Sequence, residues 1–217
     1  MRKFFLGLMF CLCAPFGVPG AMAAEVTIAA LGDSLTQGYG LPEWEGFVPQ
    51  MRGWLADHGA DVRLINAGVS GDTTAGGAAR VGWTLTPDVD AMIVALGGND
   101  LLRGIAPEVA RANLEAILQA AREAEVAVLL IGMQAPGNYG PDYKAAFDAI
   151  YPDLAAQYGT LYAESFFAGL EGLRKDPAAL GRYMQDDGIH PSAEGVEKIV
   201  AGLGPKVLEL VARAGQE

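Results

Sequence analysis

Serine, histidine and cysteine are scarce in this chain of 217 residues, which holds four Ser, two His and two Cys. Basic side chains are also few: 15 Lys and Arg stand against 26 Asp and Glu, giving a formal net charge of −11. Each shortage excludes something. Neutralising nucleic-acid phosphates takes clustered Lys and Arg, so the acidic balance argues against a nucleic-acid partner. It equally disfavours binding to an anionic lipid surface by charge. Two His are too few for a His-based metal site once one of them has another task, although a carboxylate site stays open. What the chain does have is a globular composition, 51% hydrophobic and 19% charged, and enough length to bury roughly 70% of its unfolded surface in one domain.

Both cysteines, Cys11 and Cys13, lie in an opening segment that does not read as part of a fold. Arg2 and Lys3 precede an apolar run over 4–13, Pro15 and Gly17 break it, and Ala21-Met22-Ala23 offers a small-residue cleavage pattern. That is the layout of a secretory signal peptide. The alternative is a membrane anchor, but a span needs ~20 apolar residues and this run is shorter. A lipoprotein signal would place a small residue before the Cys, where Phe10 and Leu12 stand. Cleavage after Ala23 would remove every thiol, and with them any disulfide, Cys nucleophile or Cys metal site. It would also take the net charge to −13. The expected product is periplasmic or secreted, with 24–217 as one folded domain, no stable membrane insertion and a monomeric state.

The rest alternates between apolar, β-branched runs and helical patterns. Runs at 26–31, 62–65, 91–96 and 126–131, and a weaker one at 160–163, predict strands buried on both faces, as in a parallel sheet. Helical patterns cover 44–58, 107–124, 143–158 and a final stripe from Val196 to Val211, with a kink expected at Pro205. Strand–helix alternation implies a three-layer α/β/α sandwich with about five parallel strands. No repeat, linker or charge run divides it.

In such sheets ligands bind beyond the carboxyl ends of the strands. The first three strands end in polar, Gly-rich turns: Gly32-Asp33-Ser34-Leu35, then Asn66 to Asp72, then Gly97-Gly98-Asn99-Asp100. A fourth polar cluster, Asp186-Asp187-Gly188-Ile189-His190-Pro191, precedes the last helix.

Scarcity then acts as a filter. His58 precedes Gly59 at a helix end, where a His interacts with the helix dipole. His190 follows Asp187 by three residues, with Gly188 allowing a tight turn, so a carboxylate can hold Nδ1–H and leave Nε2 as a base. Turn and capping roles fit the same two residues equally well. Among the serines, Ser165 and Ser192 lack supporting context, Ser192 as a helix cap aside, and Ser70 follows Val69. Ser34 directly follows the first strand, where a strand-to-helix turn exposes a nucleophile; an N-cap is the plainer reading. The Gly-x-Ser-x-Gly elbow is absent, which disfavours an α/β-hydrolase. Acyl transfer also needs oxyanion donors. Gly71 allows close backbone approach, and the Asn99 amide can donate, although Asn99-Asp100 also suits a cap or an Asx-turn.

Together these blocks resemble the SGNH, or GDSL-type, esterases and lipases, over essentially the whole chain after residue 23. The likeness is strongest to the bacterial periplasmic thioesterase I/lysophospholipase/arylesterase subgroup. It rests on Ser70-Gly71-Asp72-Thr73-Thr74, on Leu96 to Asp100 with Leu102-Arg103-Gly104, on Ala135 to Gly140 and on Met184 to Pro191. The resemblance implies a flavodoxin-like fold, with Ser34 as nucleophile, His190 as base and Asp187 as its orienting acid. It implies an oxyanion hole of Ser34 N–H, Gly71 N–H and the Asn99 side chain, no cofactor and no metal. It further implies activity on acyl thioesters, lysophospholipids and aryl esters. Gly137 departs from the subgroup's pattern, in what is expected to be the pocket wall. Candidate substrate contacts are Asp33, Leu35, Leu101, Leu102, Ile105, Pro136, Tyr139 and Ile189. The 101–106 segment serves either as acyl-pocket wall or lid hinged at Gly104, or as simple packing. Two rival functions stay in view: a carbohydrate O-acetyl esterase with the same catalytic groups, and a catalytically silent binding module.

Overall fold

The computed structural model describes residues 25–173 and 175–215; the expected signal peptide lies outside them. Five strands form one sheet in the order β2-β1-β3-β4-β5. They are β1 (Val26–Gly32), β2 (Val62–Gly68), β3 (Ala91–Ala95), β4 (Ala127–Ile131) and β5 (Leu161–Ala163), and every pairing is parallel. β3, with Met92, Ile93 and Val94 at its centre, is buried along its whole length, and β1 along all but its first residue, which is why these strands read as continuous apolar runs. β2 lies at an edge and alternates buried with exposed positions at its start.

Successive side chains of a strand point to opposite faces, and β1 shows it. Ile28 and Ala30 join a core with Phe47, Met51, Ile199 and Val207, from α2 (Phe47–Asp57) and the last helix, α8 (Ala193–Ala214). Ala29 and Leu31 join a second core with Val81, Leu114, Ile117, Phe147 and Tyr151. These come from α3 (Thr74–Thr84), α5 (Pro107–Glu123) and α6 (Pro141–Tyr158). The result is the expected three-layer α/β/α sandwich with an all-parallel, five-stranded sheet. Short helices α1 (Ser34–Gln37), α4 (Gly98–Leu102) and α7 (Pro177–Gly181) complete it.

Helix α3 has no counterpart in the sequence reading. Gly76, Gly77 and Gly82 blur its periodicity, yet Gly77 lets the helix pack close against the sheet: a Cβ there would sit 2.2 Å from Leu96 Cδ1. The helix instead draws on its N-terminus, where Thr73 caps it and buried Asp100 accepts from Thr74 N at 2.8 Å and Thr74 Oγ1 at 2.6 Å. The pattern at 44–58 resolves into a separate turn of 3-10 helix, Glu43–Glu45, followed by α2. α8 begins after Ser192, whose hydroxyl accepts from Gly195 N, and continues as helix through Pro205.

β1 pairs with β2 on one side and with β3 on the other, so the strand order reverses between β1 and β3. A crevice therefore opens beyond the carboxyl ends of β1 and β3. Ser34 follows β1 and Asn99 follows β3, so the topology delivers both to one place.

Candidate active site

Ser34 stands at the first position of α1, one residue past the strand turn. Gly32 makes that turn possible, because a Cβ on it would lie 2.0 Å from Thr36 Oγ1. Asp33 caps the helix, its Oδ1 accepting from Leu35 N at 3.0 Å. Only 2% of Asp33 is exposed. Burial raises its carboxyl from the ordinary 3.8 to about 6, against the lowering effects of the Leu35 N–H and of His190 nearby.

His190 arrives from the loop before α8. Its Nε2 lies 2.9 Å from Ser34 Oγ and its Nδ1 2.6 Å from Asp187 Oδ2. A carboxylate on one side fixes the proton on Nδ1 and leaves Nε2 to accept from the serine hydroxyl. Gly188, at φ +66, lets the loop fold back, so that Asp187 Oδ1 also accepts from Ile189 N (2.9 Å) and His190 N (3.0 Å). The hydrogen bond from the His190 ring, then those from the His190 and Ile189 backbone, hold Asp187 down at about 2. Residues 156 positions apart thus form one hydrogen-bonded chain, able to move a proton off Ser34.

Ser34, Gly71 and Asn99 line the same cleft. The Asn99 amide donates to Asp72 O at 2.9 Å and, more weakly, to Asp33 Oδ2 at 3.4 Å. Gly71 holds φ +83, and Arg103 Nη2 pins its carbonyl at 2.9 Å. Arg80 ties the turns together, donating to Asp72 Oδ2 (2.6 Å), Ala67 O (2.7 Å) and Gly32 O (2.9 Å).

The cleft holds about 480 Å³. Its walls include Ser34, Gly71, Asn99 and His190, and, of the expected substrate contacts, Asp33, Leu35, Leu101, Leu102, Pro136, Tyr139 and Ile189. Ile105 is not on the wall; its carbonyl is held by the Tyr143 hydroxyl at 2.8 Å. Gly137 is absent from the wall too, although its neighbours Pro136 and Asn138 are there. Gly104 takes φ +61 and sits close against the Tyr139 ring.

The sequence reading missed several wall residues. Tyr39, past the end of α1, lies with its ring centroid 4.6 Å from that of His190. Phe167 follows β5, the weakest strand pattern, and shares with Met133 the wall between this cleft and an adjoining cavity of about 510 Å³. The strand-end rule applied to β5 would have found Phe167; nothing local marks Tyr39. Ser70 reaches the wall but donates its hydroxyl to Gln37 Oε1. His58 ends α2, stacked on Trp54 with its Nδ1 2.7 Å from Trp54 O. Among the described residues, no group of three or more His, Cys, Asp or Glu is placed to hold a metal ion, and no helix is long and apolar enough to cross a membrane.

Comparison with known proteins identifies the family. Esterase TesA of Pseudomonas aeruginosa is 40% identical over 190 residues, covering 87% of this chain and 91% of that protein. Thioesterase 1/protease 1/lysophospholipase L1 of Escherichia coli is 34% identical over 193 residues, covering 87% and 86%. The crystal structure of AlinE4, an SGNH-hydrolase family esterase, superposes with a TM-score of 0.70 at 43% identity, covering 87% of this chain and 98% of its own. The model of the GDSL-like lipase/acylhydrolase family matches residues 30–198, and the chain belongs to that family.

Proposed function

We propose that this protein is a serine esterase that hydrolyses carboxylic esters and thioesters of apolar acyl and aryl groups through an acyl-enzyme. The observation that carries the reading is the hydrogen-bonded sequence Ser34 Oγ, His190 Nε2, His190 Nδ1, Asp187 Oδ2. His190 takes the proton of Ser34 as Oγ bonds to the substrate carbonyl carbon. Negative charge then collects on the carbonyl oxygen, where Ser34 N–H, Gly71 N–H and the Asn99 amide donate, each worth about 3 kcal/mol to the transition state. As the intermediate collapses, the bond to the leaving alcohol or thiol breaks and His190 gives that group its proton. Water, deprotonated by His190, then attacks the acyl-enzyme; the acid leaves and Ser34 recovers its proton. Asp187 stays ionised throughout, holding the tautomer.

The walls favour an apolar substrate. Four of the eight exposed large hydrophobic side chains among the described residues, Tyr39, Leu102, Tyr139 and Ile189, line this one cleft. Clustering of that kind marks a binding surface. The names of the relatives, an esterase and a thioesterase/lysophospholipase, support the same class. A polar sugar would leave this apolar wall unmatched, so the O-acetyl sugar esterase is the weaker reading. The test compares the parent with Ser34→Ala on p-nitrophenyl esters and acyl thioesters of increasing chain length, with acetylated xylan alongside. We expect turnover of the esters and thioesters that Ser34→Ala abolishes. Parental turnover in Ser34→Ala, or a preference for acetylated xylan, refutes the reading.

The signal-peptide reading of 1–23 adds that the reaction takes place outside the cytoplasm. N-terminal sequencing of the exported protein is expected to begin at Ala24; recovery of the uncleaved chain in the cytoplasm overturns this.

A further inference from the structure

Tyr39 is tied to both ends of the proton path. Its backbone N donates to Ser34 O at 3.1 Å, which couples its position to the nucleophile's own peptide. Its carbonyl accepts from Gln185 Nε2 at 2.8 Å. Gln185 in turn belongs to the His190 loop. Gln185 N donates to His190 O at 2.8 Å, and Gln185 Nε2 also donates to Pro191 O at 2.9 Å. The two segments fit closely, for a Cβ on Gly40 would lie 2.1 Å from Gln185 Oε1. Gly40 also takes φ +76, where side chains are disfavoured.

Between these ties the Tyr39 ring stands against the imidazole, centroids 4.6 Å apart and planes tilted by 37°. The ring edge of His190 is already committed, Nδ1 to Asp187 and Nε2 to Ser34. Those two bonds fix the imidazole in its plane. The Tyr39 ring packed beside it at that tilt limits rotation out of that plane. An aromatic face within about 6 Å of a cation also attracts it, and His190 gains a positive charge when it takes the serine proton. Such an interaction is stronger in the transition state than in the resting enzyme and so acts on turnover.

We propose that Tyr39, braced by Gln185, is a positioning residue for His190, holding the imidazole against Ser34 and favouring its protonated form during acyl transfer. The inference rests on the reading of His190 as the base. It gives a task to a half-exposed aromatic side chain that the strand-end turns do not account for. Tyr39 also lines the cleft, so an effect through substrate contact has to be separated from one through His190.

A double-mutant cycle separates them. The proteins are the parent, Tyr39→Leu, His190→Ala and the double variant, assayed on a short p-nitrophenyl ester, with Tyr39→Phe as the conservative variant. We expect Tyr39→Leu to lower kcat about tenfold in the parent with little change in KM. In the His190→Ala background it should leave the residual rate where it is. Tyr39→Phe, which keeps the aromatic face, should recover most of the loss. An equal loss in both backgrounds means Tyr39 acts on the substrate or the fold, and overturns the inference while leaving the esterase reading intact. No loss in the parent overturns it likewise. Parental turnover in His190→Ala itself overturns the esterase reading, and the inference with it.

Discussion

The Asn99 amide donates to the backbone carbonyl of Asp72 at 2.9 Å, joining the turn after β3 to the turn after β2. The same amide makes a longer hydrogen bond, 3.4 Å, to Asp33 Oδ2. An amide has two hydrogens; the short bond to Asp72 O is structural, and the long one to Asp33 Oδ2 is the one an oxyanion would take over. Asn99→Ala should therefore lower kcat by about 100-fold or more, with the far-ultraviolet circular dichroism unchanged. Asn99→Asp keeps the shape but replaces the donor with an acceptor and should cost at least as much. Parental kcat in either variant removes Asn99 from the oxyanion hole.

Arg80 supports the same turns from behind. Its guanidinium spans Asp72 Oδ2, Ala67 O and Gly32 O, and both partners of its ion pair are largely shielded, at 23% and 18% exposure. Removing it strands a partly buried carboxylate and two carbonyls. Arg80→Met should cost on the order of 3 kcal/mol in urea unfolding and lower kcat/KM as the Asp72 turn loosens. Arg80→Lys should restore little of either, since an ammonium cannot reproduce the planar fork. Full rescue by Lys would show that only the charge at this position matters.

These two residues also mark where sequence reading stops. The strands were legible because burial on both faces leaves an apolar run. Ser34 and His190 were legible because few other serines and histidines existed to compete, and the strand-end rule placed the polar turns. Arg80 carried no such signal: its three acceptors sit on β1, β2 and the following turn, and its own helix was hidden by Gly76, Gly77 and Gly82. Asp100 read as a local cap, yet it is fully buried and caps α3, 26 positions earlier. Tyr39 meets His190 only after the sheet has closed the distance between them. What sequence conveys is periodicity and local chemistry; contacts made by packing distant segments leave no local trace.

Gly97 offers a test of how tightly the turn before Asn99 is built. It holds φ +120, and a Cβ there would lie 2.0 Å from the Tyr151 hydroxyl, which is buried and donates to Leu96 O at 2.9 Å. Gly97→Ala combines backbone strain with displacement of that hydroxyl, for a cost of about 2–4 kcal/mol and a Tm roughly 10 °C lower. Tyr151→Phe alone loses one hydrogen bond, about 1 kcal/mol. The double variant should lose less than the sum, because removing the hydroxyl opens the space that the methyl needs. Strict additivity would mean that the clash does not set the cost.

Asp33 makes stability depend on pH in a direction opposite to that of Asp187. Its folded-state carboxyl titrates at about 6 against an ordinary 3.8, chiefly because burial penalises the charged form. A folded pKa raised above the unfolded one means the folded state binds the proton more tightly, so this group's contribution to stability grows as pH falls from about 7 to about 4. At neutral pH the buried charge costs roughly 3 kcal/mol. Asp187, held down at about 2, contributes stability that is complete above pH 4 and disappears as pH falls through 2, below that window. Asp33→Asn removes the first titration and leaves the second in place, so the difference between the two proteins isolates Asp33. Urea midpoints at pH 7, 5.5 and 4 should show the parent gaining on Asp33→Asn as pH falls, with most of the change between 6 and 4. A difference that stays flat over that range would mean that the Asp33 carboxyl titrates in the folded protein as it does in the unfolded chain, so that its burial does not penalise the charge. The buried carboxylate beside Ser34 would then need a different account.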